Sequence, residues 1–260
     1  MRSVASSSIL PQTVSGRITA AEAAPPALRS YGWQGARVQM LGRALGLWAV
    51  LLGFACGFSS GPLSSAHGAE GPVRIVAFGD SLTAGYGLPA AAAFPAKLEK
   101  ALNAKGEAVA ISNAGVSGDT AAGGLARLDW SVPEGTEAVI LELGANDMLR
   151  GLDPQATRKI LQDIVTRLQG RHIEVLLCGM QAAPNLGADY VQAFNSIYPD
   201  LAATDHLLLY PFFLAGVVDD PRLIQRDGLH PTAAGVDVIV AGILPQVEEL
   251  VARVRSRRGS

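Results

Sequence analysis

Cysteine is nearly absent from this chain. Cys56 and Cys178 are the only two in 260 residues, and Cys56 falls in a leader-like segment. Cys178 alone can form neither an internal disulfide nor, by itself, a zinc site. It sits inside "IEVLLCGM", the pattern of a buried strand, and reads as core. Aromatic residues make up 6 %, and Trp130 is the sole tryptophan after residue 70, which gives little material for a carbohydrate platform. Basic charge is also scarce. Residues 1–69 hold five Lys/Arg and one Glu, so without them the 21 bases and 23 acids fall to 16 and 22, a net charge of −6. An acidic body offers no footing for nucleic acid. The basic C-terminus "RVRSRRGS" reads as a frayed helix end. After residue 70 no G-x-S-x-G nucleophile elbow occurs, which disfavours the usual α/β-hydrolase layout.

The first 70 residues differ from the rest. Residues 1–39 are rich in Ser, Ala and Pro without a period, and read as disordered or as an over-extended start. Residues 40–69 read as a signal peptide. Arg37 and Arg43 supply a basic flank, Ala44 to Phe58 an apolar stretch, and Ser64, Ala66 and Gly68 the small residues of a cleavage site. This implies a periplasmic or secreted protein. The alternative is an uncleaved membrane anchor, against which the Gly, Ser and Pro of residues 57–65 argue. Residues 70–260 then form one domain, without internal repeat or low-complexity segment.

Within that domain apolar runs alternate with helical patterns. Strands are predicted at 73–78, 108–112, 137–143, 173–179 and 206–210. Helices are predicted near 93–105, 120–130, 154–170, 187–203 and 231–254. Pro154 and Pro231 are each placed in the first turn of a helix, where a missing N–H costs little. Strands that are apolar on both faces and separated by helices predict an α/β protein. Its parallel sheet is doubly wound and covered on both sides, a three-layer α/β/α sandwich. In such sheets ligands bind at the carboxyl ends of the strands.

Four polar segments fall at those ends: "GDSLTAGYG" (79–87), "NAGVSGDT" (113–120), "GANDMLRG" (144–151) and "DGLHP" (227–231). Together they fit acyl transfer. A serine hydroxyl is a weak nucleophile and needs a base. Of the four histidines, His67 is in the leader, and His172 and His206 stand at the starts of predicted strands. Only His230 lies at the carboxyl side, with Asp227 three residues before it, close enough to hold its imidazole. The Ser81 N–H, the Gly118 N–H and the Asn146 amide are candidate donors to an oxyanion. Each residue also has a structural role open to it: Ser81, Asn146 or Asp147 as a helix cap, Gly118 as a positive-φ hinge, Asp227-Gly228 as a turn pair. Those roles do not account for all four segments meeting at one sheet edge. A loose G-x-G-x-x-A run at 85–90 begins seven residues after the strand and contains Pro89. The second strand ends without an acid for a ribose, so a dinucleotide loop is disfavoured.

These four blocks resemble those of the SGNH (GDSL) hydrolases. The similarity is to the bacterial periplasmic branch that contains arylesterases and multifunctional thioesterase–lysophospholipases. It covers about residues 72–252, and no position in the four blocks departs from the pattern. The resemblance implies a flavodoxin-like five-stranded sheet of order 2-1-3-4-5. It implies Ser81 as nucleophile, His230 as base and Asp227 as orienting acid, with Ser81, Gly118 and Asn146 forming the oxyanion hole. The expected substrate is a small acyl, aryl or lipid ester or thioester, with no metal or organic cofactor and no stable partner, the protein being a monomer. Two loops, 148–153 and 181–190, are expected to set preference, with Met148, Leu149, Leu152 and Leu186 lining an apolar groove. A carbohydrate O-acetyl esterase would use the same triad, and an inactive binding module would keep the same fold.

Overall fold

The computed structural model describes residues 71–260. The disordered or over-extended segment 1–39 and the signal peptide 40–69 therefore lie outside the described residues. Among the described residues five strands form one sheet: β1 (Val73–Gly79), β2 (Val109–Gly115), β3 (Ala138–Glu142), β4 (Glu174–Cys178) and β5 (Leu208–Tyr210). The order is β2-β1-β3-β4-β5 and every pairing is parallel, as the sequence pattern and the resemblance implied. The helices are α1 (Ser81–Ala84), α2 (Phe94–Ala104), α3 (Ala121–Ser131), α4 (Ala145–Leu149), α5 (Pro154–Gly170), α6 (Ala188–Asn195), α7 (Ile197–Thr204) and α8 (Ala233–Arg258).

The chain winds outward from β1 in both directions. Right-handed crossovers that reverse at this point put α2 and α8, which pack together, on one face, and α3 and α5, which also pack together, on the other. All five residues of β3 are buried, because β3 has a strand on each side and helices above and below. The register sets the ends of three strands level: Gly79 pairs with Gly115 on one side and with Glu142 on the other. The connection leaving β1 and the one leaving β3 diverge here, which opens the crevice where doubly wound sheets bind ligands.

Local chemistry explains the boundaries. Asp80 caps α1 by accepting the Leu82 N–H at 3.0 Å, and Thr120 and Thr232 cap α3 and α8 through the N–H groups of Gly123 and Gly235. Asp153 caps α5, with Pro154 as its first residue. Three sequence expectations shift. Pro231 is not in the first turn of α8, because the Thr232 hydroxyl caps that helix; Pro231 instead bridges Ile224 in an antiparallel pairing. The helix predicted over 187–203 is two helices. Pro199 has no N–H for the Asn195 carbonyl, so the break falls where α7 restarts and Pro199 sits in its first turn. Strand β2 runs on to Gly115, since ladder hydrogen bonds do not require apolar side chains. A Cβ on Gly115 would lie 2.2 Å from the Ala84 amide nitrogen, so this glycine lets α1 lie against the strand end.

Gly79 is equally constrained. A Cβ there would lie 2.1 Å from Thr83 Oγ1 and 2.5 Å from the Glu142 carbonyl oxygen. Gly79→Ala is expected to lower stability by roughly 1–3 kcal/mol, the usual cost of overpacking. Urea denaturation checks this, and an unchanged midpoint would contradict the packing described.

Candidate active site

Ser81 opens α1 directly after the Asp80 cap, so the turn that ends β1 lifts its hydroxyl to the carboxyl edge of the sheet. The last connection brings His230 to it from 149 residues away, with Nε2 2.9 Å from Ser81 Oγ. On the far side of the ring, Nδ1 lies 2.7 Å from Asp227 Oδ2. Asp227 Oδ1 accepts the N–H groups of Leu229 at 3.0 Å and His230 at 3.1 Å. The Leu229 N–H first, then the imidazole and the His230 N–H, hold the Asp227 carboxyl down at about 2.

The His230 loop is clamped from both ends. The Gln225 N–H donates to the His230 carbonyl at 2.7 Å, and the Thr232 N–H to the Leu223 carbonyl at 2.7 Å. The Gln225 side-chain amide donates to the Tyr86 carbonyl at 2.8 Å and the Pro231 carbonyl at 3.0 Å, joining the loop to the segment after α1. The Tyr86 ring lies against the imidazole, 4.5 Å between centroids.

The second and third segments face Ser81. Gly118 has φ of +85°, in the left-handed region, and its carbonyl accepts from the Arg150 guanidinium at 2.7 Å. Asn146 is the second residue of α4, and its side-chain amide donates to Asp80 Oδ2 at 2.9 Å. Among the described residues, neither the Ser81 N–H nor the Gly118 N–H meets an acceptor. Asp147, next to Asn146, faces inward: it accepts the Ala121 N–H at 2.8 Å and the Thr157 hydroxyl at 3.2 Å, fastening α4 to α3 and α5.

A cavity of about 490 Å³ opens beside Ser81 and His230, with Met148, Leu149, Met180, Phe212 and Leu214 in its wall. Met148 and Leu149 are therefore where the loop expectation puts them. Leu152 and Leu186 are outside the lining: Leu152 points to the surface and Leu186 packs against the core. Met180 and Phe212, which follow β4 and β5, were missed. The rule that ligands sit at strand carboxyl ends marks both positions.

Sequence reasoning also missed two buried polar side chains. Arg127 reaches from α3 under the strand ends, donating to the Gly79 and Ala114 carbonyls at 2.8 Å each and to Asp119 at 2.6 Å, with its guanidinium 4.3 Å from the Phe78 ring. Glu142, the last residue of β3, is fully buried and accepts the Thr83 hydroxyl at 2.7 Å and the Asp80 N–H at 3.3 Å. An acid closing an otherwise apolar strand, "AVILE", was the signal for it.

Residues 77–238 match the model of the GDSL-like Lipase/Acylhydrolase family. Esterase TesA of Pseudomonas aeruginosa is 37 % identical over 178 residues, covering 68 % of this chain and 89 % of that protein. The Escherichia coli K12 protein named thioesterase 1/protease 1/lysophospholipase L1 is 38 % identical over 178 residues, 68 % of this chain and 84 % of that protein. The crystal structure of AlinE4, an SGNH-hydrolase family esterase, superposes with a TM-score of 0.59 at 50 % identity over 69 % of this chain and 96 % of that one. The sheet order, the crevice between β1 and β3 and these similarities agree: the chain belongs to the GDSL-like lipase/acylhydrolase family, the SGNH hydrolases, and is a serine-dependent carboxylic ester hydrolase.

Proposed function

We propose that Ser81 is the nucleophile, His230 the general base and Asp227 the acid that orients it, and that the reaction passes through an acyl-enzyme. The continuous contact from Ser81 Oγ through the imidazole to Asp227 carries this reading. His230 Nδ1–H donates to the ionised Asp227 carboxylate, which fixes the tautomer and leaves Nε2 to take the Ser81 proton as Oγ attacks the carbonyl carbon. Negative charge then develops on the carbonyl oxygen. The Ser81 N–H, the Gly118 N–H and the second hydrogen of the Asn146 amide receive it. Arg150 supports this by holding the Gly118 carbonyl, so that the peptide's N–H keeps its direction. The imidazolium protonates the departing alkoxide or thiolate. Water, activated by the same imidazole, releases the acid and restores Ser81.

The substrate we propose is an acyl or aryl ester or thioester, with its apolar part in the cavity beside Met148, Leu149 and Met180. The apolar wall supports this over a carbohydrate acetate. The chain itself supplies nucleophile, base and oxyanion donors. We further propose that residues 40–69 direct export and that residues 70–260 act in the periplasm or outside the cell.

Ser81→Ala is expected to abolish hydrolysis of p-nitrophenyl esters and labelling by a fluorophosphonate while the circular dichroism spectrum is kept. Label that persists in this variant would refute the nucleophile. Asp227→Asn is expected to lower kcat by on the order of 10²- to 10⁴-fold, by stabilising the wrong tautomer. Wild-type kinetics would contradict its role. Across p-nitrophenyl acetate, butyrate and octanoate, kcat/KM is expected to rise as the chain fills the cavity. Turnover of acetate alone would argue for a deacetylase instead.

A further inference from the structure

Beneath Ser81 lie two carboxyl groups with no part in the steps above. Asp80 and Glu142 are both fully buried. They come from the ends of β1 and β3, at the point where the two connections diverge. No ion pair is made to either among the described residues. Two adjacent buried carboxyls cannot both be ionised, because each would face the other's charge without water to screen it.

Their hydrogen bonds distinguish them. Asp80 accepts one N–H on each oxygen: Leu82 on Oδ1 and the Asn146 amide on Oδ2. That arrangement suits a carboxylate. Glu142 receives both of its donors, the Thr83 hydroxyl and the Asp80 N–H, on Oε2, and its Oε1 is buried with no partner among the described residues. An anionic oxygen left without donors is costly, so the proton belongs on Glu142.

We propose that Asp80 and Glu142 act as a pair, ionised and neutral respectively, in which Asp80 is a positioning residue that aims the Asn146 amide at the oxyanion. This rests on the reading of Asn146 as an oxyanion donor. One amide hydrogen is held by Asp80, so the amide cannot turn, and the other faces the site. Neutral Glu142 keeps the Asp80 N–H and Thr83 in place without opposing the Asp80 charge.

The pK directions agree with the geometry. Burial, then the Asp80 charge, pushes Glu142 well above the usual carboxylate range. Burial pushes Asp80 up to about 6, against the Leu82 N–H and the Asn146 amide, which lower it. The other groups around the pair are His230 on the last loop, Arg127 on α3 at the Gly79 carbonyl, Asp147 on α4, and the buried Cys178 on β4 and Tyr198 on α7. Burial raises both the Cys178 thiol and the Tyr198 phenol, which keeps them neutral. Both carboxyls of the pair are raised by folding. Their contribution to stability is therefore fully present below the ordinary carboxylate pK and is lost as pH rises through about 6 for Asp80, and higher for Glu142. Acid thus strengthens the fold through this pair while it weakens the hold on Asn146.

The test is ester kinetics and thermal melting from about pH 5 to pH 9 for Asp80→Asn, Asn146→Ala, the double variant, Glu142→Ala and Glu142→Gln. An asparagine at 80 has one acceptor oxygen for two donors. Asp80→Asn is therefore expected to keep KM, to lower kcat about 10- to 100-fold and to make the fall of kcat toward acid shallower, leaving only the part due to protonation of His230. The double variant should be no slower than Asn146→Ala. Glu142→Ala should lower kcat about tenfold, and Glu142→Gln should rescue it and remove the part of the loss of melting temperature that Glu142 causes at the higher pH, leaving the part due to Asp80. Wild-type kcat in Asp80→Asn, multiplying losses in the double variant, or no rescue by glutamine would each overturn the inference. Should Asp80→Asn not fold, the glutamine rescue decides. Full activity in Asn146→Ala would instead remove Asn146 from the oxyanion hole, a separate failure.

Discussion

Gly79 has no room for a side chain. The Thr83 hydroxyl, the Glu142 carbonyl and the Glu142 carboxyl all crowd the space a Cβ would take. That closeness brings the end of β1 against the end of β3 and starts α1 within one residue of the strand. Ser81 is then held at the crevice mouth by a four-residue helix with a capped start. The Gly79 carbonyl is not left idle: it accepts from Arg127 and from the Val116 N–H. One backbone position thus joins α3 and the second loop to the nucleophile's turn. Rearranging it would move three of the four segments together.

Charge is distributed around this point according to access to water. Asp227 sits on an exposed loop, accepts two backbone N–H groups and stays ionised far into acid. It can offer a full charge to the imidazole. Asp80 and Glu142 lie beneath the serine, where burial dominates and only one charge is tolerated. Carboxyls gathered around the same hydroxyl therefore do different work because of their surroundings.

The sheet was legible because β3 and β4 each carry four consecutive apolar residues and are separated by helical periods, the pattern of a doubly covered parallel sheet. The four segments were legible because three follow strand ends directly and the fourth lies in the connection from β5 to α8. Side-chain direction was harder to read. The leucines at 152 and 186 share a loop with cavity residues yet face elsewhere, and no short-range pattern fixes the path of an irregular loop. Pro231 was misplaced because a proline before a cap and one after it look alike in sequence; the Thr232 hydroxyl decided between them. Glu142 and Arg127 were missed for a related reason. The Thr83 hydroxyl lies 59 residues from Glu142 and the Gly79 carbonyl 48 from Arg127, and a buried charge is expected on a solvated face until its acceptors and donors are seen.

The central claim is that Ser81 carries the acyl group between the two halves of the reaction. The direct measurement is the mass of the protein quenched in acid during turnover of a slowly deacylated p-nitrophenyl ester, followed by mapping of the modified peptide. The account predicts one acyl increment on the peptide containing Ser81, absent from Ser81→Ala. Rapid turnover with no increment under conditions where deacylation is slow, or an increment on another residue, would contradict it.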